Sequence, residues 1–91
     1  MNNYYCVMVD GAEDGIWIFT KIEEIKKWRD KELIEEEELI ITKGILFGEK
    51  LKTRHRYSCV IFDKETFIFE TEEEAEKEYA NEEILDGFYV K

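Results

Sequence analysis

Two cysteines and one histidine are the residues of this chain best suited to nucleophilic chemistry. A nucleophilic cysteine needs a thiolate and a positioned base. The only histidine, His55, lies between Arg54 and Arg56, whose charges disfavour the imidazolium form. Cys6 and Cys59 stand at matching places in two similar apolar segments, which is typical of buried small hydrophobic residues. A disulfide between them is the alternative if the geometry allows it. We therefore predict a protein that is not an enzyme.

Metal and nucleotide chemistry also lack a motif. His55 has no second histidine to share a metal ion, and no Cys-x-x-Cys spacing occurs. Residues 10–15 match the twelve-residue calcium loop poorly, and turn chemistry explains them better. Gly11 and Gly15 lack the Lys-Ser/Thr pair of a phosphate-binding loop. No metal or cofactor is predicted.

Acidic residues are concentrated near the end of the chain. Residues 70–86 contain nine acidic side chains and one basic side chain, a local balance of −8. Helical side chains at i, i+3 and i+4 lie about 5–6 Å apart, comparable with the spacing of phosphates along a nucleic-acid strand. The residues that we predict to bind a partner are Glu70, Glu72, Glu73, Glu74, Glu76, Glu78, Glu82, Glu83 and Asp86. The alternative is a solvated face that keeps a small protein soluble.

Residues 50–56 form the only basic island, and Tyr57 follows it. Lysine and arginine beside an aromatic ring suit contact with a phosphate backbone. The whole chain, however, carries a net charge of −10 with an isoelectric point near 4.6, which opposes binding to nucleic acid or to an anionic membrane. We expect the island to form salt bridges with the acidic helices.

The chain repeats its own beginning. Residues 57–63 match residues 4–10 at an offset of 53, with four of seven identical, and residues 66–69 then match residues 16–19. Both copies continue into a threonine followed by glutamates. We predict a single domain, 1–91, that contains two similar β-hairpin–helix units, 3–48 and 56–91.

In the first half, aromatic and β-branched residues predict strands at 4–9 and 16–19. Thr20 begins a capping-box pattern, and the helix that follows turns Ile22, Ile25 and Trp28 inward. Residues 31–38 are consistent with a continued helix, a broken helix or a loop anchored by Leu33 and Ile34. Residues 39–42 and 45–47 form either one strand or two.

In the second half, residues 57–62 and 66–69 predict a hairpin. A second capping box at Thr71 predicts a helix that reaches Asn81, with a narrow apolar stripe of Ala75 and Tyr79. The predicted end is a turn at residues 86–87 and an edge strand at 88–90.

These elements predict an α+β fold, with a mixed or antiparallel sheet of about five to seven short strands and two helices. A ferredoxin-like strand order is one alternative. No apolar run is long enough to cross a bilayer, and the polar start lacks a signal-peptide pattern, so the predicted location is the cytoplasm.

Over its whole length this short, acidic, proline-free chain resembles small inhibitors encoded by phages and mobile elements, such as anti-CRISPR and other DNA-mimic proteins. The likeness is one of size and composition, without a diagnostic motif. It implies stoichiometric, salt-sensitive binding to a basic, nucleic-acid-handling host protein. One alternative is a regulatory or structural domain that forms a homodimer through residues 45–47 or 88–90. The other is a domain that binds or sequesters a small molecule such as a nucleotide in an aromatic cleft near Trp17, Trp28 and Tyr79.

Overall fold

The structure is a computed structural model that describes residues 4–11 and 15–90. The predicted turn at residues 10–15 lies partly outside these ranges. The elements are β1 (Tyr4–Val9), β2 (Ile16–Phe19), α1 (Ile22–Glu32), a short 3-10 helix (Glu36–Glu38), β3 (Leu39–Phe47), β4 (Arg56–Phe62), β5 (Glu65–Phe69), α2 (Glu72–Glu78) and β6 (Leu85–Tyr89).

The six strands close into a mixed barrel in the order β1-β2-β6-β4-β5-β3. β1 is antiparallel to β2 and β3, and β4 is antiparallel to β5 and β6. Two parallel pairings, β2 with β6 and β3 with β5, join the halves. The α+β class, the two helices and the strand number are as predicted. The closed sheet and the order β-β-α-β-β-β-α-β differ from the ferredoxin-like alternative.

The alternation of side chains along β2 separates the barrel interior from the helix-covered exterior. Ile16 and Ile18 point into the barrel, where they pack with Cys6, Cys59 and Ile68. Trp17 and Phe19 lie on the outer face, and the ring of Trp28 on α1 is 5.5 Å from each of them. The prediction that these two pairs occupy opposite faces is confirmed.

The outer face of the second half packs in the same way against α2. Ala75 is fully buried against Val60 and Phe69, and Tyr79 packs at the edge of this cluster. The Thr71 hydroxyl accepts a hydrogen bond from the Glu74 amide at 3.2 Å, so the predicted cap of α2 is confirmed. A small inward residue lets the helix lie close to the sheet.

The start of α1 differs from the prediction. Its N-cap is Lys21, whose side chain has no acceptor and so makes no capping bond. The Glu24 amide donates to the Lys21 backbone carbonyl instead, at 3.2 Å. The predicted Thr20 cap is therefore wrong. Ile22 is 52% exposed, and the inward stripe of α1 is limited to Ile25 and Trp28.

Residues 31–38 combine the end of α1 with the 3-10 helix. Leu33 adopts a left-handed conformation (φ 58°) that ends α1, and its side chain is 89% exposed. Leu33 therefore does not anchor this segment to the core. Residues 39–47 form one continuous strand, β3.

Two predictions for the last part of the chain are wrong. α2 ends at Glu78, because Tyr79 leaves the helical conformation (φ −135°, ψ 66°), so Asn81 is outside the helix. Residues 86–87 lie within β6 instead of forming a turn. β6 is also no edge strand, since it pairs with β2 on one side and β4 on the other.

Two glycines allow close packing inside the barrel. Gly44 pairs with Tyr4 and Gly87 pairs with Tyr57. A Cβ atom on Gly44 would lie 2.7 Å from Cys6 Sγ, and one on Gly87 would lie 2.5 Å from Cys59 Sγ. Both distances are well inside van der Waals contact, so each cysteine occupies the space that its facing glycine leaves open.

We expect Gly44→Ala and Gly87→Ala each to lower the free energy of unfolding by about 1–3 kcal/mol, the usual cost of overpacking a filled core. Urea denaturation measures this. Gly48→Ala is the matched control, because its Cβ would meet only the flexible Glu70 side chain at 3.4 Å. Unchanged stability in both core variants would contradict the packing argument.

Candidate functional site

Five of the nine predicted binding residues lie on α2. Glu72, Glu73, Glu74, Glu76 and Glu78 are all exposed, and Ala75 is the buried residue of the helix. Within the described ranges, none of these glutamates has a lysine or arginine nitrogen within 4.0 Å. α2 therefore presents carboxylates that are not neutralised by local ion pairs.

The other four predicted residues are dispersed. Glu82 and Glu83 are exposed in the loop after α2, and the Glu82 amide donates to the Tyr79 carbonyl at 3.2 Å. Glu70 precedes α2, with its carboxylate 3.9 Å from Lys52 Nζ. Asp86 lies on β6, 3.8 Å from Arg56 Nε. The α2 glutamates thus lie around the exposed sides of one helix, while Glu70 and Asp86 form ion pairs elsewhere.

The basic island packs as a loop against the barrel. Leu51 is buried in the interior cluster, and the Lys52 amide donates to Tyr57 Oη at 2.6 Å. His55 Nε2 lies 3.0 Å from the Glu70 carbonyl oxygen. The expected internal salt bridges form with Glu70 and Asp86, and neither of these residues lies on α2. An open groove of about 740 Å³ beside this loop carries both Lys50 and Glu49.

The three aromatic residues proposed to line a small-molecule cleft do not meet. Trp17 and Trp28 pack together under α1, with ring centroids 5.5 Å apart. Tyr79 belongs to the separate cluster beside α2. The predicted cleft is therefore absent from the described residues, because the two helices cover different parts of the barrel.

Both cysteines are free and buried in the barrel. Burial raises the pKa of the Cys6 thiol to about 12, although a hydrogen bond with Thr66 offsets part of the effect. The pKa of Cys59 is raised well above its ordinary value, first by burial and then by Coulomb repulsion from Cys6 and Asp86. A nucleophilic cysteine has a lowered pKa, so both thiols are shifted in the opposite direction.

An aromatic face beside α2 was not predicted from the sequence. Phe62, Tyr79, Phe67 and Phe47 follow one another across the outside of β4, β5 and β3. Phe47 is 42% exposed and Phe62 is 47% exposed. Alternation along β5 could have shown that Phe67 and Phe69 share a face, but the approach of Phe47 depends on the β3–β5 pairing.

Metal coordination has no candidate in the part of the chain that the structure describes. Residues 4–11 and 15–90 contain no group of three or more His, Cys, Asp or Glu side chains arranged to hold an ion. No helix within these ranges is long and apolar enough to span a membrane.

We expect the thiols of the native protein to react slowly with a disulfide reagent at pH 8, because both are buried and protonated. Absorbance of the released thiolate, recorded with and without denaturant, measures this. In denaturant both cysteines should react within the mixing period. Equally fast reaction of the folded protein would contradict their burial.

The raised thiol pKa values also predict a pH dependence. The Cys6 pKa is about 12 in the folded protein against 9.0 unperturbed, so the unfolded chain loses this proton first. The resulting stabilisation is complete below about pH 9 and is lost as the pH rises towards 12. The free energy of unfolding should fall more steeply over this range than in a Cys6→Ala, Cys59→Ala variant, in which all other groups are retained. Parallel curves would contradict the shift.

Comparison of the chain with protein-family models, with curated proteins and with solved structures finds no match. A function for this chain is therefore inferred from its own geometry and charge.

Proposed function

We propose that this protein is a non-catalytic inhibitor that binds a basic, nucleic-acid-binding surface of a partner protein through α2 and the loop after it. The observation that carries the proposal is the set of five exposed glutamates on α2, which form no ion pair within the described ranges. Like charges on one short helix repel one another, and a basic partner would relieve this repulsion. Lys52 and Arg56 contact acidic residues outside the helix.

The geometry of α2 supports this function. Glu72 and Glu76, and also Glu74 and Glu78, are related by i, i+4 spacing, which places such side chains about 5–6 Å apart. The helix is fixed to the barrel by Ala75 and by the Thr71 cap. The two pairs lie on opposite flanks of the helix, so a basic groove that accepts phosphates could contact both edges of α2 at little conformational cost. Association would be fast at low salt and weaken as ionic strength rises.

The two halves of the chain support a specialised role for α2. We propose that residues 3–48 and 56–91 are copies of one unit, because both halves use the same pairing pattern and match at Cys6/Cys59 and Gly44/Gly87. α1 carries four acidic and four basic residues, whereas α2 carries five acidic residues and one basic residue. The fold thus has one neutral helix and one strongly acidic helix in related positions.

The test reverses three charges on α2. We expect Glu73→Lys, Glu74→Lys, Glu76→Lys to remain folded, because all three side chains are exposed. Two of them lie in the first turn, so the reversal should cost about 0.3–1 kcal/mol of stability for each. Partner binding should be abolished at physiological salt. Affinity capture from a host lysate, eluted with a salt gradient and identified by mass spectrometry, measures it.

The matched control is Glu23→Lys, Glu24→Lys, Glu32→Lys on α1, which changes the net charge equally and also places two substitutions in a first turn. The proposal requires that the parent protein and the α1 variant both capture the same nucleic-acid-binding protein. The α2 variant should not capture it, and added DNA or RNA should displace it from the parent. Retention of the same protein by the α2 variant would reject the acidic helix as the binding surface.

A further inference from the structure

We propose that the aromatic face beside α2, formed by Phe62, Tyr79, Phe67 and Phe47, docks an arginine-rich segment of the partner. This inference depends on the proposed function, and it names the chemistry that the partner presents. The acidic residues of α2 would attract any cation, whereas the aromatic face would select the guanidinium group.

The four rings form one continuous surface. Ring centroids are 5.5 Å apart between Phe62 and Tyr79, 5.2 Å between Tyr79 and Phe67, and 5.9 Å between Phe67 and Phe47. Phe47 also stacks on the buried Phe69 at 4.7 Å with an interplanar angle of 8°. The rings at both ends are the most open, since Phe62 and Phe47 are nearly half exposed.

α2 covers only part of this side of the sheet. The seven-residue helix packs on Val60 and Phe69 and leaves Phe62 and Phe47 nearly half exposed. Single exposed apolar residues are normal on protein surfaces. A row of neighbouring aromatic rings with two open members is a surface suited to a partner.

Carboxylates lie beside the Phe62 and Tyr79 end of the aromatic face. Glu78 directly precedes Tyr79, and Glu76 lies on the last turn of α2. Phe62 is paired with Glu65 across the hairpin and is followed by Asp63. Lys64 and Lys77 also lie near, but acidic residues outnumber them. A second copy of this chain is a poor occupant, because contact across this face would bring two acidic helices together.

An arginine side chain fits this combination. Its planar guanidinium stacks on aromatic rings while its N–H groups donate to carboxylates in a forked geometry. A lysine ammonium is more strongly hydrated and gains less from stacking. The aromatic face therefore adds a preference for arginine to the general attraction of α2 for positive charge.

Two synthetic peptides test the inference, one alternating arginine with serine and the other alternating lysine with serine at equal length. Isothermal titration calorimetry at low and at physiological ionic strength gives their dissociation constants. We expect the arginine peptide to bind about fivefold more tightly than the lysine peptide, the ratio that corresponds to about 1 kcal/mol of cation–π interaction. Phe62→Leu keeps an apolar side chain and should remove this ratio.

Phe88→Leu is the matched control, because Phe88 is 39% exposed and has no aromatic partner within the described ranges. Amide NMR spectra establish that each variant is folded. Equal affinities for the two peptides, or a ratio that survives Phe62→Leu, would overturn the aromatic docking surface. If the α2 charge reversal still abolished peptide binding, the proposed function would stand without the aromatic docking surface.

Both proposals would be overturned if neither peptide bound the parent protein more tightly than it binds the α2 variant. Sedimentation equilibrium tests whether a second copy of the chain occupies the aromatic face instead. A dimer that forms with increasing protein concentration and dissociates in Phe62→Leu would assign the face to a second copy of the chain, contrary to the inference.

Discussion

Close backbone contact with two sulfur atoms shapes the interior of this barrel. β3 and β6 can lie against Cys6 and Cys59 because Gly44 and Gly87 have no side chain at these places. The same two strands make the parallel pairings that join the halves, β3 with β5 and β6 with β2. Once the barrel is filled in this way, the bulky residues of the outer faces must be covered by helices. α1 covers Trp17 and Phe19, while α2 covers Val60 and Phe69. The position of the acidic helix is thus set by its packing on Val60 and Phe69 on the outer face.

Local sequence patterns were sufficient for the parts of the fold that local interactions determine. Alternation predicted the hairpin strands, and the Thr71 cap and the inward Ala75 were predicted from spacing. Gly87 was misread as a turn residue because its role is to make room for Cys59, a residue far away in the chain. Barrel closure and the aromatic face were missed for the same reason, since both need pairings between distant strands. The exposure of the α2 glutamates was predictable from the narrow apolar stripe, but the ion pairs of Glu70 and Asp86 were not.

Charge and apolar surface are combined on one side of the molecule. Within the described residues the α2 carboxylates form no ion pair, and the rings of Tyr79 and Phe67 continue from the end of the helix onto the sheet. The loop of residues 50–56 is held by Leu51 and by the Tyr57 hydroxyl, and two of its basic side chains, Lys52 and Arg56, pair with Glu70 and Asp86. The buried thiols have raised pKa values and lie inside the barrel. Exposed side chains on a rigid frame, and not a reactive group in a cleft, therefore form the candidate site.

The position of β6 between β2 and β4 also constrains how the chain can fold. The β2–β6 pairing joins residues separated by most of the sequence, from Ile16 to Gly87. Contacts of such high contact order form slowly, because a long loop must close before they are gained. During synthesis on a ribosome, the two hairpins can form early, yet β2 and β4 keep open edges until β6 has emerged. The nascent chain thus exposes the aggregation-prone strand edges that the finished barrel removes.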